Sequence, residues 1–153
     1  MRNRLTILLC CVICLAVGVS AGALLGKDEF VRRLNLPGRA DDRPYNHAIV
    51  AGETIYLAGT IGVDPETGKV PEDPMAEAKL MLDGMRSKLK LAGAGMDDLV
   101  SVQVFCSDIS LYQEFNGLYR SYFDENYPVR AFVGSGPLLA HARFEINGIA
   151  VKR

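Results

Sequence analysis

The chain has little of what common reactive centres are built from. Its 153 residues include only two histidines, His47 and His141, and neither has a second ligand at a usable spacing, so no metal site is expected. No G-x-S-x-G elbow surrounds Ser135, and no glycine-rich phosphate loop is present, which removes the usual signatures of a serine hydrolase and of a nucleotide-binding enzyme. Cysteine is equally sparse where it would matter. Cys10, Cys11 and Cys14 sit in the first apolar stretch, which leaves Cys106 alone in the remainder and unable to form an internal disulfide. At the end of its alternating run Cys106 reads as a small buried filler.

Excess charge is also missing. Seventeen basic residues face 18 acidic ones, and a mildly acidic domain offers nucleic acid no general attraction, so none is expected as a partner.

The N-terminus differs in kind from the rest. Arg2 and Arg4 precede an uncharged apolar run from Leu5 to Val19, followed by small residues at Ser20 and Ala21. Residues 1–21 are therefore expected to be a secretory signal that is removed on export to the periplasm or medium. The run is short for a spanning helix and is weakened by Gly18, Ser20 and Gly22, so no stable membrane anchor is expected after cleavage. Loss of this segment leaves 15 basic residues against 18 acidic ones.

Beyond it, hydrophobic patterning predicts an N-terminal strand and loop over 22–43 and one α+β domain over 44–153. An apolar alternation at Phe30, Leu34 and Leu36 ends at Pro37 and Gly38. Runs at 47–51 and 54–58 are separated by Gly52 and Glu53, the spacing of a tight hairpin. Asp64-Pro-Glu-Thr-Gly68 reads as a turn, and Asp73 before Pro74 reads as a helix N-cap. The helix buries a stripe of Ala78, Met81, Leu82, Met85, Leu89 and Ala92, places Lys79, Asp83, Arg86, Lys88 and Lys90 elsewhere, and stops at Gly93.

Val100, Val102 and Val104 then alternate with Ser101 and Gln103 as a strand with one buried face. Ser110, with Gln113 at a capping-box spacing, opens a second helix that Pro128 closes. Strands are expected at 129–133 and 142–151. The order β-β-β-α-β-α-β-β favours a mixed sheet with both helices on one face. The last strand is apolar on both sides, Phe144, Ile146 and Ala150 against Ile149 and Val151, so the open face is expected to be covered by other subunits.

Arg130 interrupts an apolar strand and points opposite to Val129 and Ala131. A guanidinium fixed there can take a carboxylate through two parallel hydrogen bonds. Glu145, facing away from Phe144 and Ile146, is the alternative partner, and spacing alone favours an internal Arg130–Glu145 ion pair over a ligand site.

The run Tyr127-Pro-Val-Arg130, continued by Phe144-Glu-Ile-Asn-Gly-Ile-Ala150, resembles the signature of the reactive-intermediate deaminase family, RidA or YjgF. Pro44-Tyr45, Leu57-Ala-Gly59, Asp64 to Gly68, Leu91-Ala-Gly93, Val104-Phe105 and Phe115-Asn-Gly-Leu-Tyr119 extend the resemblance over nearly all of the chain beyond residue 21. It implies a chorismate-mutase-like two-layer α+β fold assembled as a homotrimer. It also implies hydrolysis of enamines or imines, of the 2-aminoacrylate and 2-iminopropionate type, to 2-oxo acids and ammonia at clefts between subunits, without a cofactor.

Carried onto this sequence, Arg130 holds the carboxylate of a small substrate and Glu145 positions or activates water. Tyr45 and Asn116 line the cleft, and Phe105 and Phe132 supply apolar walls. Residue type alone leaves Tyr45 open as a packing plug and Asn116 open as a way to relieve crowding beside Gly117. The chain departs from the family pattern at Ala58, Thr60 and Ala131, where serine, glutamine and serine or threonine are usual, and in the loop Gly134 to Leu138. These departures motivate a second reading as a non-catalytic trimer that binds small carboxylates, and the mildly acidic charge weakens a third, as an endoribonuclease.

Overall fold

The computed structural model describes residues 30–38, 40 and 42–152. The expected signal over residues 1–21, with its three cysteines, lies outside them, as do Arg39 and Asp41 of the loop ahead of Pro44. Residues 32–153 form one compact unit, and of the other, Met1–Val31, only the last two residues are described. Among the described residues no helix is long and apolar enough to cross a membrane.

The fold is the α+β chorismate-mutase-like arrangement, with six strands and two helices among the described residues, in the expected order. These are β1 (Val31–Leu34), β2 (Ala48–Ala51), β3 (Thr54–Ile61), α1 (Pro74–Ala92), β4 (Leu99–Cys106), α2 (Tyr112–Arg120), β5 (Val129–Gly134) and β6 (Phe144–Val151). The sheet order is β1-β2-β3-β6-β4-β5, with β2–β3, β3–β6 and β6–β4 antiparallel and β4–β5 parallel. The hairpin closes where expected, Ala51 pairing with Thr54 and Gly52 supplying the positive φ of the tight turn.

α1 begins as its sequence dictates. The Asp73 carboxylate accepts from the Met75 and Ala76 N–H groups, Pro74 has no N–H that would need an acceptor, and Gly93 ends the helix in the left-handed conformation. Its stripe from Ala78 to Ala92 is buried as expected, against Ile55, Val102, Val104, Phe144 and Ile146. Phe115 of α2 stacks on Phe144, its ring centroid 5.2 Å away, so both helices cover the same face of the sheet.

Four local expectations give way to geometry. Val100 does not join the buried set of Val102 and Val104, because the β4–β6 register shifts between Leu99 and Ser101 and turns it to solvent. Ser110 does not cap the second helix. The chain enters through a 3-10 turn at Ile109–Leu111 capped by Asp108, whose carboxylate accepts from both the Ser110 N–H and the Ser110 hydroxyl, which spends the serine's own capping group. The helix then ends at Arg120, well before Pro128, with Ser121 closing onto Leu118 and Tyr119. Likewise β6 starts at Phe144 rather than Ala142, which is held in a 3-10 turn over Leu139–His141.

The open face carries a row across five strands that is apolar except at Ser101 of β4: Ile49 beside Tyr56, Tyr56 beside Ile149, Ile149 beside Ser101, and Ser101 beside Val129. Tyr56 is 49% and Val129 71% exposed in the single chain.

Candidate functional site

Strand pairing decides where the chemistry sits. Arg130 pairs with Val102, whose side chain is in the helix-side core, so the guanidinium leaves the sheet on the helix side, opposite to Val129 and Ala131 as expected. Glu145 pairs with Phe105 and Ile61 and points away from the buried Phe144 and Ile146, onto the open face. Phe105 also pairs with Val133 on β5, which puts the Glu145 and Arg130 backbones ~14 Å apart from strand rise and spacing, with their side chains on opposite faces. The internal ion pair favoured by spacing is therefore not formed. The expected site residues fall into two groups, one on each side of the molecule.

On the helix side, Arg130 Nη2 donates to Asn116 Oδ1 at 2.6 Å, and no other acceptor among the described residues takes a bond from the guanidinium. Four rings surround it: Tyr119 at 4.5 Å from centroid to Cζ, Phe132 at 5.8 Å, Tyr112 at 5.9 Å and Phe115 at 6.0 Å. These faces stabilise a cation without neutralising it. Asn116 is only 8% exposed, so it orients the arginine from beneath rather than relieving crowding.

Arg130 opens onto a surface cleft of about 260 Å³ shared with Tyr112, Asn116, Tyr119, Tyr127 and Pro128. The Tyr119 hydroxyl is buried there with no hydrogen-bond partner among the described residues. Burial pushes its phenol up to about 12 although Arg130 pulls the other way, so it stays a neutral hydroxyl. Phe132 belongs to this group and Phe105 does not.

On the other side, Glu145 borders a cleft of about 690 Å³ with Arg43, Tyr45, His47, Gly59 and Lys88. Tyr45 accepts from Arg43 Nη1 at 2.7 Å and presents its ring edge to His47, whose Nδ1 accepts from the Leu36 N–H. Tyr45 is thus a cleft-wall residue, 43% exposed, rather than a plug. A Cβ added at Gly59 would lie 2.1 Å from Glu145 Oε1, so only glycine leaves room for that carboxyl. Leu139 and Ala140 form part of the rim, and Ala140 and His141 hold φ of 55° and 59°, the left-handed region that non-glycine residues rarely adopt.

Two buried groups were placed on the exposed side of α1, or not singled out, by the sequence reading. Lys88 is 5% exposed, and burial pushes its ammonium down to about 8, partly countered by Glu145. Its folded value lies below the ordinary 10.5, so the fold bears a cost of roughly 3 kcal/mol at neutral pH for keeping it charged. Stability accordingly rises with pH between about 8 and 10.5. Glu77 is wholly buried: its carboxylate accepts from Arg143 Nε at 2.6 Å and from the Arg143 and Phe144 N–H groups at 2.6 and 3.0 Å, pinning the start of β6. Both lie on the helical period of Met81 and Met85, the one signal that marked them as inward.

Cys106 is buried as expected, donates to the Asp108 carbonyl, and has its thiol pushed up by burial. Among the described residues no cluster of three or more His, Cys, Asp or Glu is placed to hold a metal ion.

Comparison with known proteins agrees with this fold. The sequence profile of the family described as Endoribonuclease L-PSP matches residues 39–152. The human 2-iminobutanoate/2-iminopropanoate deaminase is 36% identical over 110 residues, covering 71% of this chain and 80% of the human protein. Among solved structures, the Escherichia coli YjgF gene product superposes with a TM-score of 0.73 at 31% identity, over 80% of this chain and 99% of that one. E. coli TdcF with bound serine superposes at 0.71 and 29%, over 81% and 98%.

Proposed function

We propose, from the premise that this chain belongs to the Endoribonuclease L-PSP family, which includes the RidA and YjgF proteins, that it hydrolyses small enamines and imines to 2-oxo acids and ammonia. The observation that carries this reading is Arg130: a guanidinium unpaired with any carboxylate among the described residues, boxed by aromatic rings and open to a cleft. A fork left with unused donors suits the carboxylate of a 2-imino acid. That the related TdcF has been solved with bound serine, itself an α-carboxylate, supports the same ligand class.

The reaction asks little of the protein. An imine carbon is already electrophilic, so holding the carboxylate and directing a water at that carbon supplies mainly proximity and proton transfer. In the proposed sequence Glu145 accepts a proton from the attacking water as the C–O bond forms and the C=N electron pair moves to nitrogen. That proton passes to the nitrogen, which gives a carbinolamine; Glu145 then takes the hydroxyl proton and relays it to the nitrogen as the C–N bond breaks, so that the carbonyl closes and ammonia leaves. Tyr45 and Phe105 stand on the Glu145 side, and Asn116 and Phe132 on the Arg130 side.

Arg130 and Glu145 lie on opposite faces of one sheet, so a single chain cannot bring both to one small molecule. In this reading the chain forms a homotrimer in which the Arg130 cleft of one protomer meets the Glu145 cleft of the next. The open-face row centred on Tyr56 is the apolar surface that such an assembly covers. Co-expression of Arg130→Ala and Glu145→Gln chains tests it. Random mixing leaves roughly a quarter of the boundaries with both groups intact, so mixed oligomers are expected to recover about that share of wild-type ammonia release. No recovery, or a wild-type chain that light scattering shows to be monomeric, would rule out the composite site.

Residues 1–21 are proposed to be an export signal, on the strength of Arg2, Arg4 and the uncharged run that follows. Export would present the enzyme with imines formed outside the cytosol.

A further inference from the structure

Lys88 is the one buried ammonium among the described residues, and the hydrolysis above gives it no part. Its Nζ donates to Ala58 O at 3.1 Å, Gly59 O at 3.0 Å and Thr60 Oγ1 at 2.7 Å. These acceptors belong to consecutive residues, at the place where the β3–β6 register shifts between Leu57 and Thr60. A register shift leaves carbonyls without ladder partners, and an ammonium brings three donors to match three acceptors.

The same segment carries Glu145. The carboxyl occupies the space beside Gly59 that a Cβ would fill, while the Gly59 carbonyl is held by Lys88. Glu145 on β6 is the charged group facing Lys88 across the segment, Thr60 on β3 is its polar side-chain contact, and Arg43, Tyr45 and His47 line the same cleft from the stretch ahead of β2. A nucleophilic role does not fit this geometry, because an ammonium with all its donors engaged has no lone pair to offer a carbonyl.

We propose that Lys88 is a positioning residue: its charged ammonium locks the Ala58–Gly59–Thr60 segment and so fixes the Glu145 carboxylate where it directs water. The inference rests on the role of Glu145 proposed above and deepens it. It also explains how Ala58 and Thr60 are accommodated, since polar contact at this lip comes from the helix behind it.

Lys88 holds its proton only below about pH 8. Its contribution is therefore present at neutral pH and disappears as pH rises through that value. The test compares full-length wild type with Lys88→Met, which keeps the length and removes the charge, in imine hydrolysis from pH 6 to 10. Wild-type kcat is expected to fall above about pH 8, while the variant has kcat about tenfold lower at pH 7, no such fall, and a KM within about twofold, because carboxylate binding belongs to Arg130.

Equal kcat for the two proteins at pH 7 would overturn the proposal, as would a loss confined to KM. An inactive wild type would instead count against the hydrolase reading. The Lys88 inference then stands or falls on a second measurement, the titration of the Lys88 Cε resonance in wild type and Glu145→Gln. Removal of the facing carboxylate is expected to lower the midpoint from about 8, and an unchanged midpoint means the two groups are not coupled.

Discussion

Replacing Arg130 with alanine is expected to lower kcat/KM for 2-iminopropionate hydrolysis by roughly 10²–10³-fold while leaving the fold and the oligomer intact. The size follows from the bonds lost: a charge-assisted pair to a carboxylate, each bond at the lower end of about 1.5–3 kcal/mol because the cleft is open to solvent, comes to about two or three powers of ten. Survival of the fold follows from what Arg130 does not do. It pairs with no carboxylate among the described residues, and its one hydrogen bond goes to Asn116. Arg130→Lys keeps the charge but not the planar fork, so it is expected to restore less than a tenth of the activity. Ammonia release from 2-aminoacrylate generated in the assay measures both variants, and an alanine variant within twofold of wild type would end the proposed mechanism.

The second large effect is on stability and comes from a residue with no place in the chemistry. Glu77→Ala strips Arg143 of its buried carboxylate and leaves the Arg143 and Phe144 N–H groups without their acceptor. Arg143 would remain tied to the Glu72 and Pro71 carbonyls, still charged and now unneutralised. Breaking one half of such a pair typically costs 3–5 kcal/mol, a large share of the 5–15 kcal/mol that holds a domain together. Calorimetry is expected to show Tm lowered by about 10 °C or more. A drop of less than about 2 °C would mean that solvent or a rearranged arginine replaces the pair at little cost. Because Phe144 directly precedes Glu145, activity at temperatures well below the melt should also fall.

How much of this was legible in the sequence depended on the range of the forces involved. The α1 stripe, the Asp73 cap, the Gly93 stop and the Gly52–Glu53 hairpin are set by neighbours within a few residues, and pattern alone located them. Asp108 against Ser110 was a choice between two good capping residues, decided by a 3-10 turn that neither announces. The shift that exposes Val100 leaves no mark on the alternation of β4.

Glu77 and Lys88 were hidden for another reason. Helical period pointed both inward and polarity pointed them outward, and the tie is broken by partners distant in the chain, Arg143 for one and the Ala58–Thr60 segment for the other. The placement of the candidate site residues was readable one by one but not as a constellation. Alternation placed Arg130 opposite Val129 and Glu145 opposite Phe144. That the two emerge on opposite sides of one sheet needs the β6-β4-β5 order and its register, which no local pattern encodes.

That two-sidedness bears on inheritance. In the proposed ring each chain lends one half of its equipment to the neighbour on its left and the other half to the neighbour on its right. A faulty allele would then do more than fail to contribute: its product would spoil stations belonging to sound companions, and a carrier of one good and one doubly damaged copy would fall below half of normal capacity.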